Sequence, residues 1–212
     1  MPQNEKVLRS YSCEMRARKE EGKGIIEGYA IIYESRTDLG YFDEIIKRGA
    51  LAKTDLKDVR FLVNHDTTMI PLARSRNNNE NSTMQLIVDE RGLKVVIRLD
   101  IENNTEARNL YSAIERGDIS GMSFMFTIRG EKWEGEDTEH PLRSITDIEQ
   151  VFEVSAVTFP AYEATEINAR CKTELENFKR TLESVQSTSL ESEKSDNLIN
   201  LYKLKNQNLG GF

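Results

Sequence analysis

"STMQLIVDERGLKVVIRLDI", residues 82–101, decides the fold class. Met84, Leu86 and Val88 alternate along one arm, and Leu93, Val95, Ile97, Leu99 and Ile101 along the other, with "DERG" at 89–92 between them. A period of two is the period of a strand, so the stretch predicts a β-hairpin. Working outward, "GIIEGYAIIY" (24–33) is rich in β-branched and aromatic residues, with Gly28 placed for a bulge or a close approach. "DVRFLV" (58–63), "SGMSFMFTIR" (120–129) and "VFEVSAVTF" (151–159) read as further strands. Two helices interrupt them. "YFDEIIKRGAL" (41–51) is short; "NTEARNLYSAIERG" (104–117) carries Ala107, Leu110, Tyr111 and Ile114 as one apolar stripe. Asn104 or Thr105 suits its start and Gly117 its end. "RGEKWEGEDTEHPLRS" (129–144) reads as a long exposed loop. The pattern predicts a mainly β fold with flanking helices (α+β): about six to seven mostly antiparallel strands in a closed or strongly curled barrel.

The composition narrows the function. The chain has 212 residues, and Lys+Arg 29 against Asp+Glu 36 gives a net charge of −7, so no basic footprint points to nucleic acid. No apolar run approaches the roughly 20 residues that cross a bilayer, and "MPQNEKVLRS" lacks an apolar signal core. Cys13 and Cys171 stand far apart and read as reduced thiols, not a disulfide framework or a zinc knuckle. Near residue 170 the composition changes. Leu175, Phe178, Leu182 and Val185 are spaced 3, 4 and 3 apart and predict a helix or a short coiled-coil seam. "QSTSLESEKSD" (186–196) reads as a linker and "NLINLYKLKNQNLGGF" (197–212) as a second amphipathic piece. The expected division is a β domain over 1–170 and a helical, flexible tail over 171–212.

There are two histidines. His140 lies in the acidic loop before Pro141 and reads as a solvated surface residue. His65, in "RFLVNHDTTMIPLAR" (60–74), shares parity with Phe61 and Val63, so packing can orient it as a general base requires. No second histidine at i+2 or i+4 completes a metal set, and neither a metal nor a cofactor is expected. For a nucleophile, "DISGMSFMFTI" (118–128) stands out. Met122, Phe124, Phe126 and Ile128 form an apolar face, leaving Ser123 on the other face beside Gly121. Glu153 sits in the middle of an apolar strand and needs a partner if buried; an imidazolium suits it. Ser155, on the same face as Glu153, is a rival nucleophile.

"NHD", then "ISGMSFMF" after a short helix, then "EVSAVTFPAY", together with "GYAIIYESRTDLGYFDEIIKRGAL", resemble in this order the caudovirus prohead (capsid maturation) serine proteases. That family is similar in fold to the herpesvirus assemblins, and the resemblance covers roughly residues 10–170. It implies Ser123 as nucleophile, His65 as general base and Glu153 as third member. Met125 stands where the family often has glycine, which bears on substrate preference. The implied activity is a serine endopeptidase that cleaves scaffold or the delta region of a capsid precursor. It would act in the host cytoplasm, inside the assembling prohead, with capsid precursor and scaffold proteins as partners. Likeness to the herpesvirus enzymes implies a homodimer. The tail would serve packaging, regulation or self-cleavage. Oxyanion donors are not assigned; Gly121's neighbourhood and the loop after Phe159 are the places to look. The competing expectation is a non-catalytic assembly or scaffolding factor with a protease-like barrel.

Overall fold

The computed structural model describes residues 6–12, 15–158, 172–181 and 183–184. By internal contacts the chain divides into two compact units, Met1–Ala169 and Arg170–Phe212. Among the described residues, the first holds eleven strands and one α-helix. In chain order the strands are β1 (Val7–Ser12), β2 (Arg16–Glu20), β3 (Lys23–Ile32), β4 (Arg36–Asp38), β5 (Asp43–Ile46), β6 (Arg60–Val63), β7 (Ala73–Arg74), β8 (Met84–Val88), β9 (Gly92–Leu99), β10 (Gly121–Glu134) and β11 (Leu142–Val157). Helix α1 (Thr105–Glu115) lies between β9 and β10. The described part of the second unit is helical, over 172–181 and at 183–184.

The barrel expected from the strand pattern is not formed. The strands make two open sheets, one of seven strands in the order β1-β10-β11-β5-β4 with β6 and β7 attached, and one of four in the order β2-β3-β9-β8. The first sheet is mixed rather than antiparallel. Strand β11 runs antiparallel to β10 on one side, and on the other it takes two parallel partners in line. Leu142–Ile145 pairs with β5 and Glu153–Ala156 with β6. Two short strands sharing one edge of a long one leave no uniform antiparallel stagger with which to close a barrel.

The hairpin forms as its alternation predicts. Strands β8 and β9 pair antiparallel from Met84↔Ile97 to Val88↔Leu93. Met84, Leu86, Leu93, Val95, Ile97 and Leu99 are buried, while Val88 at the turn is exposed. Asp89 Oδ1 accepts the backbone N–H of Arg91 at 2.8 Å and of Gly92 at 3.1 Å, closing the turn. A side chain at Gly92 would strike the carbonyl oxygen of Ile31, so only glycine lets β3 approach there. In α1, Asn104 Oδ1 accepts Ala107 N–H at 3.1 Å, and Ala107, Leu110, Tyr111 and Ile114 are the buried face. Gly117, with φ +80°, follows the helix in the left-handed conformation.

Two local expectations are corrected. Residues 41–51 form no helix: Asp43–Ile46 is strand β5, followed by turns. Phe42, Ile46 and Ala50 are all buried, and their i, i+4, i+8 spacing mimics a helical stripe, but the exposed edge of β11 claims the segment. The loop expected over 129–144 shrinks to 135–141, because β10 reaches Glu134 and β11 starts at Leu142. Its polarity hid paired charges. Arg143 Nε donates to Glu131 Oε2 at 2.7 Å across the ladder, and its Nη1 reaches Glu44 Oε2 at 3.3 Å. Arg9 on β1 completes the group with bonds of 2.6 and 2.8 Å to Glu44. Arg9 and Glu44 are 2% and 1% exposed, so this is a buried ion pair. The linker and second amphipathic piece expected over 186–212, with Cys13 and Cys171, lie outside the described residues.

Candidate active site

The site is built where β6 ends against β11. Their parallel register sets Glu153 beside Arg60 and Ala156 beside Val63. Strand β6 stops at Val63, and Asn64 and His65 both adopt left-handed backbone, with φ of +49° and +59°. His65 is therefore aimed by a turn, not by the strand parity that suggested it. Consecutive non-glycine residues in this region cost on the order of 1–3 kcal/mol each and persist only where their surroundings hold them. Here the hold is explicit. Asn64 N–H donates to the Ala156 carbonyl at 2.9 Å. Asn64 Oδ1 accepts Thr158 N–H at 2.9 Å, and Asn64 Nδ2 donates to Thr158 Oγ1 at 3.1 Å. The turn is clipped to the end of β11.

This aim brings His65 to Glu153. Nδ1 of the ring lies 2.5 Å from Glu153 Oε1. The carboxylate is buried, with its side chain 4% exposed against 20% for His65. An ionised carboxylate only accepts hydrogen bonds, so Nδ1 carries the proton and Nε2 presents a lone pair. Nε2 is itself buried and has no hydrogen-bond partner among the described residues. The second carboxylate oxygen, Oε2, accepts from Ser155 Oγ at 2.5 Å. Ser155 Oγ in turn accepts the backbone N–H of His65 at 3.2 Å. The bonds form a ring: His65 main chain to Ser155, Ser155 to Glu153, Glu153 back to the His65 imidazole.

Ser123 stands on the neighbouring strand. The β10–β11 register sets Ser123 opposite Ser155 and Met125 opposite Glu153. Directly opposed residues share a face, with Cβ atoms ~4.5–5.5 Å apart. Ser123 is fully buried, and its hydroxyl donates to the Arg9 carbonyl on β1 at 2.9 Å, not to His65. The structure thus joins two of the three expected residues by a hydrogen bond and sets the third on the adjacent strand, turned toward β1. Ser155 was read only as a rival nucleophile; its contacts to Glu153 and to the His65 main chain were not foreseen. The Glu-x-Ser spacing on one strand was the available signal, since it puts both residues on one face. The clip between Asn64 and Thr158 had no sequence signal, because the two lie far apart in the chain. The loop after Phe159, where oxyanion donors were sought, is outside the described residues.

His140 is exposed, as expected, and has acidic neighbours. Its Nε2 lies 3.5 Å from Asp38 Oδ1 and 3.3 Å from Asp43 Oδ1. These three are the one group of possible metal ligands among the described residues. Arg36 donates to Asp43 Oδ2 at 2.7 Å, so the cluster already carries a compensating cation. A groove of about 790 Å³ is lined by Lys6, Lys53, Lys57, Arg129, Glu149 and Phe152 among others, and none of His65, Ser123 or Glu153 lines it.

A search of curated proteins finds no match. Among solved structures, the bacteriophage T4 capsid assembly protease, gp21, is similar at 14% identity and a TM-score of 0.41, over 74% of this chain and all of that one. The sequence itself matches the caudovirus prohead serine protease family over residues 11–181, most of its length, and the chain belongs to that family.

Proposed function

We propose that this chain is the endopeptidase of head maturation in its phage, with Ser123 as nucleophile, His65 as general base and Glu153 as the acid that orients the base. The observation that carries the reading is the 2.5 Å bond between His65 Nδ1 and Glu153 Oε1, which leaves Nε2 as the basic nitrogen. Family membership supplies the reaction class. For catalysis, Ser123 leaves the Arg9 carbonyl by a rotamer step about Cα–Cβ and turns its hydroxyl toward Nε2. Oγ then attacks the scissile carbonyl carbon as its proton passes to Nε2. The imidazolium, stabilised by Glu153, returns that proton to the leaving amine as the C–N bond breaks. Water, deprotonated by the same nitrogen, cleaves the acyl-enzyme and restores the serine. Oriented proton transfer of this kind contributes ~10²–10⁴-fold.

The substrates are the scaffold and the delta region of the capsid precursor, cut inside the assembling prohead within the host cell. Residues 1–170 form the protease domain, and 171–212 form a tail for packaging or self-cleavage. One observation favours a second reading, a non-catalytic assembly factor: Ser123 is fully buried against β1. A fluorophosphonate probe separates the two. Covalent labelling mapped to Ser123 by mass spectrometry, with labelling and precursor processing abolished in Ser123→Ala, is the expected result. Unlabelled protein, or processing that survives Ser123→Ala, overturns the proposal.

A further inference from the structure

We infer that Ser155 is a positioning residue of this site, a hydroxyl that fixes the acid and the base relative to each other without touching the substrate. The inference rests on the triad proposed above. Ser155 is fully buried, and both sides of its hydroxyl are engaged. Its proton goes to Glu153 Oε2 at 2.5 Å, and its oxygen accepts the His65 N–H at 3.2 Å.

Each bond answers a specific weakness. Glu153 has two equivalent carboxylate oxygens and one imidazole to serve; without a second donor the carboxylate plane can turn, and neither oxygen is held in line with Nδ1. Donation from Ser155 to one oxygen fixes that plane and holds the other oxygen at the ring. His65 sits in left-handed backbone, a conformation that needs outside support. Its amide would be a buried or half-buried donor in need of an acceptor, and Ser155 Oγ fills that need. One side chain thus sets both the orientation of the acid and the main-chain position of the base. The direction of its proton also argues against a nucleophilic role. Ser155 Oγ–H points at a carboxylate that already serves the imidazole, and its contact with His65 is to the main chain, not to a ring nitrogen.

Five proteins test this: the wild-type chain and its Ser155→Ala, Ser155→Thr, Ser155→Val and Ser123→Ala variants. The readouts are the second-order rate of fluorophosphonate labelling, the labelled residue, and the low-field proton NMR signal of the His65 Nδ1–H. Hydrogen bonds to charged groups set the scale. Ser155→Ala is expected to slow labelling of Ser123 by about 10- to 100-fold and to broaden or abolish the low-field signal. Threonine keeps the hydroxyl and valine replaces it with a methyl in the same shape, so their difference isolates the hydroxyl from any packing effect. Ser155→Thr is expected to label at least about 10-fold faster than Ser155→Val. Equal rates for that pair, or a Ser155→Ala protein that labels within about threefold of wild type with its low-field signal intact, overturn the inference and leave the triad standing. A label found on Ser155, or undiminished in Ser123→Ala, overturns the triad itself.

Discussion

Replacing Glu153 by glutamine tests the chemistry with almost no change of shape. The carboxylate serves two donors, the His65 ring at 2.5 Å and Ser155 at 2.5 Å. An amide has one oxygen, so it can accept only one of them. With that oxygen toward Ser155, the amide N–H₂ faces Nδ1 and drives the ring proton to Nε2, the atom that must be basic. With the oxygen toward Nδ1 the tautomer survives, but the imidazolium formed during attack loses its counter-charge. A hydrogen bond to a charged group is worth about 1.5–3 kcal/mol. At 1.36 kcal/mol per decade, that loss alone slows the step by about 10- to 150-fold. The wrong tautomer adds to it, and a neutral amide in place of a triad acid costs up to ~10⁴. We expect Glu153→Gln to lower the fluorophosphonate labelling rate by about 10²–10⁴-fold while thermal unfolding stays cooperative. A folded variant that labels within twofold of wild type removes Glu153 from the machinery.

Other consequences concern the scaffold that holds the site. Glu44→Gln removes the buried carboxylate that Arg9 and Arg143 share and should destabilise the protein by about 1–3 kcal/mol in denaturant unfolding; a loss under about 0.5 kcal/mol would show that the network carries no such weight. Asn64→Ala removes the clip to Thr158 and places alanine at φ +49°, so labelling should slow by an order of magnitude or more, whereas Asn64→Gly, which tolerates that backbone, should fold better than the alanine variant. Asp89→Ala opens the β8–β9 turn and should cost about 1–2 kcal/mol. Its pH dependence has a defined sign. The Tyr29 hydroxyl, bonded to Asp89 Oδ2 at 2.7 Å, holds that carboxyl below its usual range, helped by the Arg91 and Gly92 amides. The stabilisation is therefore whole above about pH 4 and fades as acid carries the pH down through the lowered value. A stability difference between wild type and Asp89→Ala that grows on acidification contradicts the assignment.

How much of this was written in the chain depends on the range of the signal. The β8–β9 hairpin and α1 were legible because alternation, a turn aspartate, an Asn cap and a terminal Gly are local. The resemblance pointed to His65, Ser123 and Glu153, but not to the bond between His65 and Glu153 or to the turn of Ser123 toward β1. Strand parity from Phe61 through Val63 pointed to His65 for the wrong reason, since the chain leaves the strand one residue earlier. The barrel failed because strand count and alternation say nothing about pairing direction: the same residues of β5 and β6 satisfy a parallel edge of β11 as well as an antiparallel one. The 129–144 loop failed because charge was taken for exposure, whereas Arg143, Glu131, Glu44 and Arg9 satisfy one another inside the sheet. That group joins three distant parts of the chain, around residues 9, 44 and 131–143, and no short window of sequence contains it.

Strand β11 has one more implication. Over Glu153–Ala156 its main chain is bonded on both flanks, to β10 on one side and β6 on the other. Proteases that recognise extended peptides need an unpaired strand edge to grip. A neighbouring copy therefore finds no free main-chain edge at Glu153–Ala156. Under the proposed triad, autodigestion would begin at the sheet rims or the connections, and the stretch that carries Glu153 would be among the last parts to be cut.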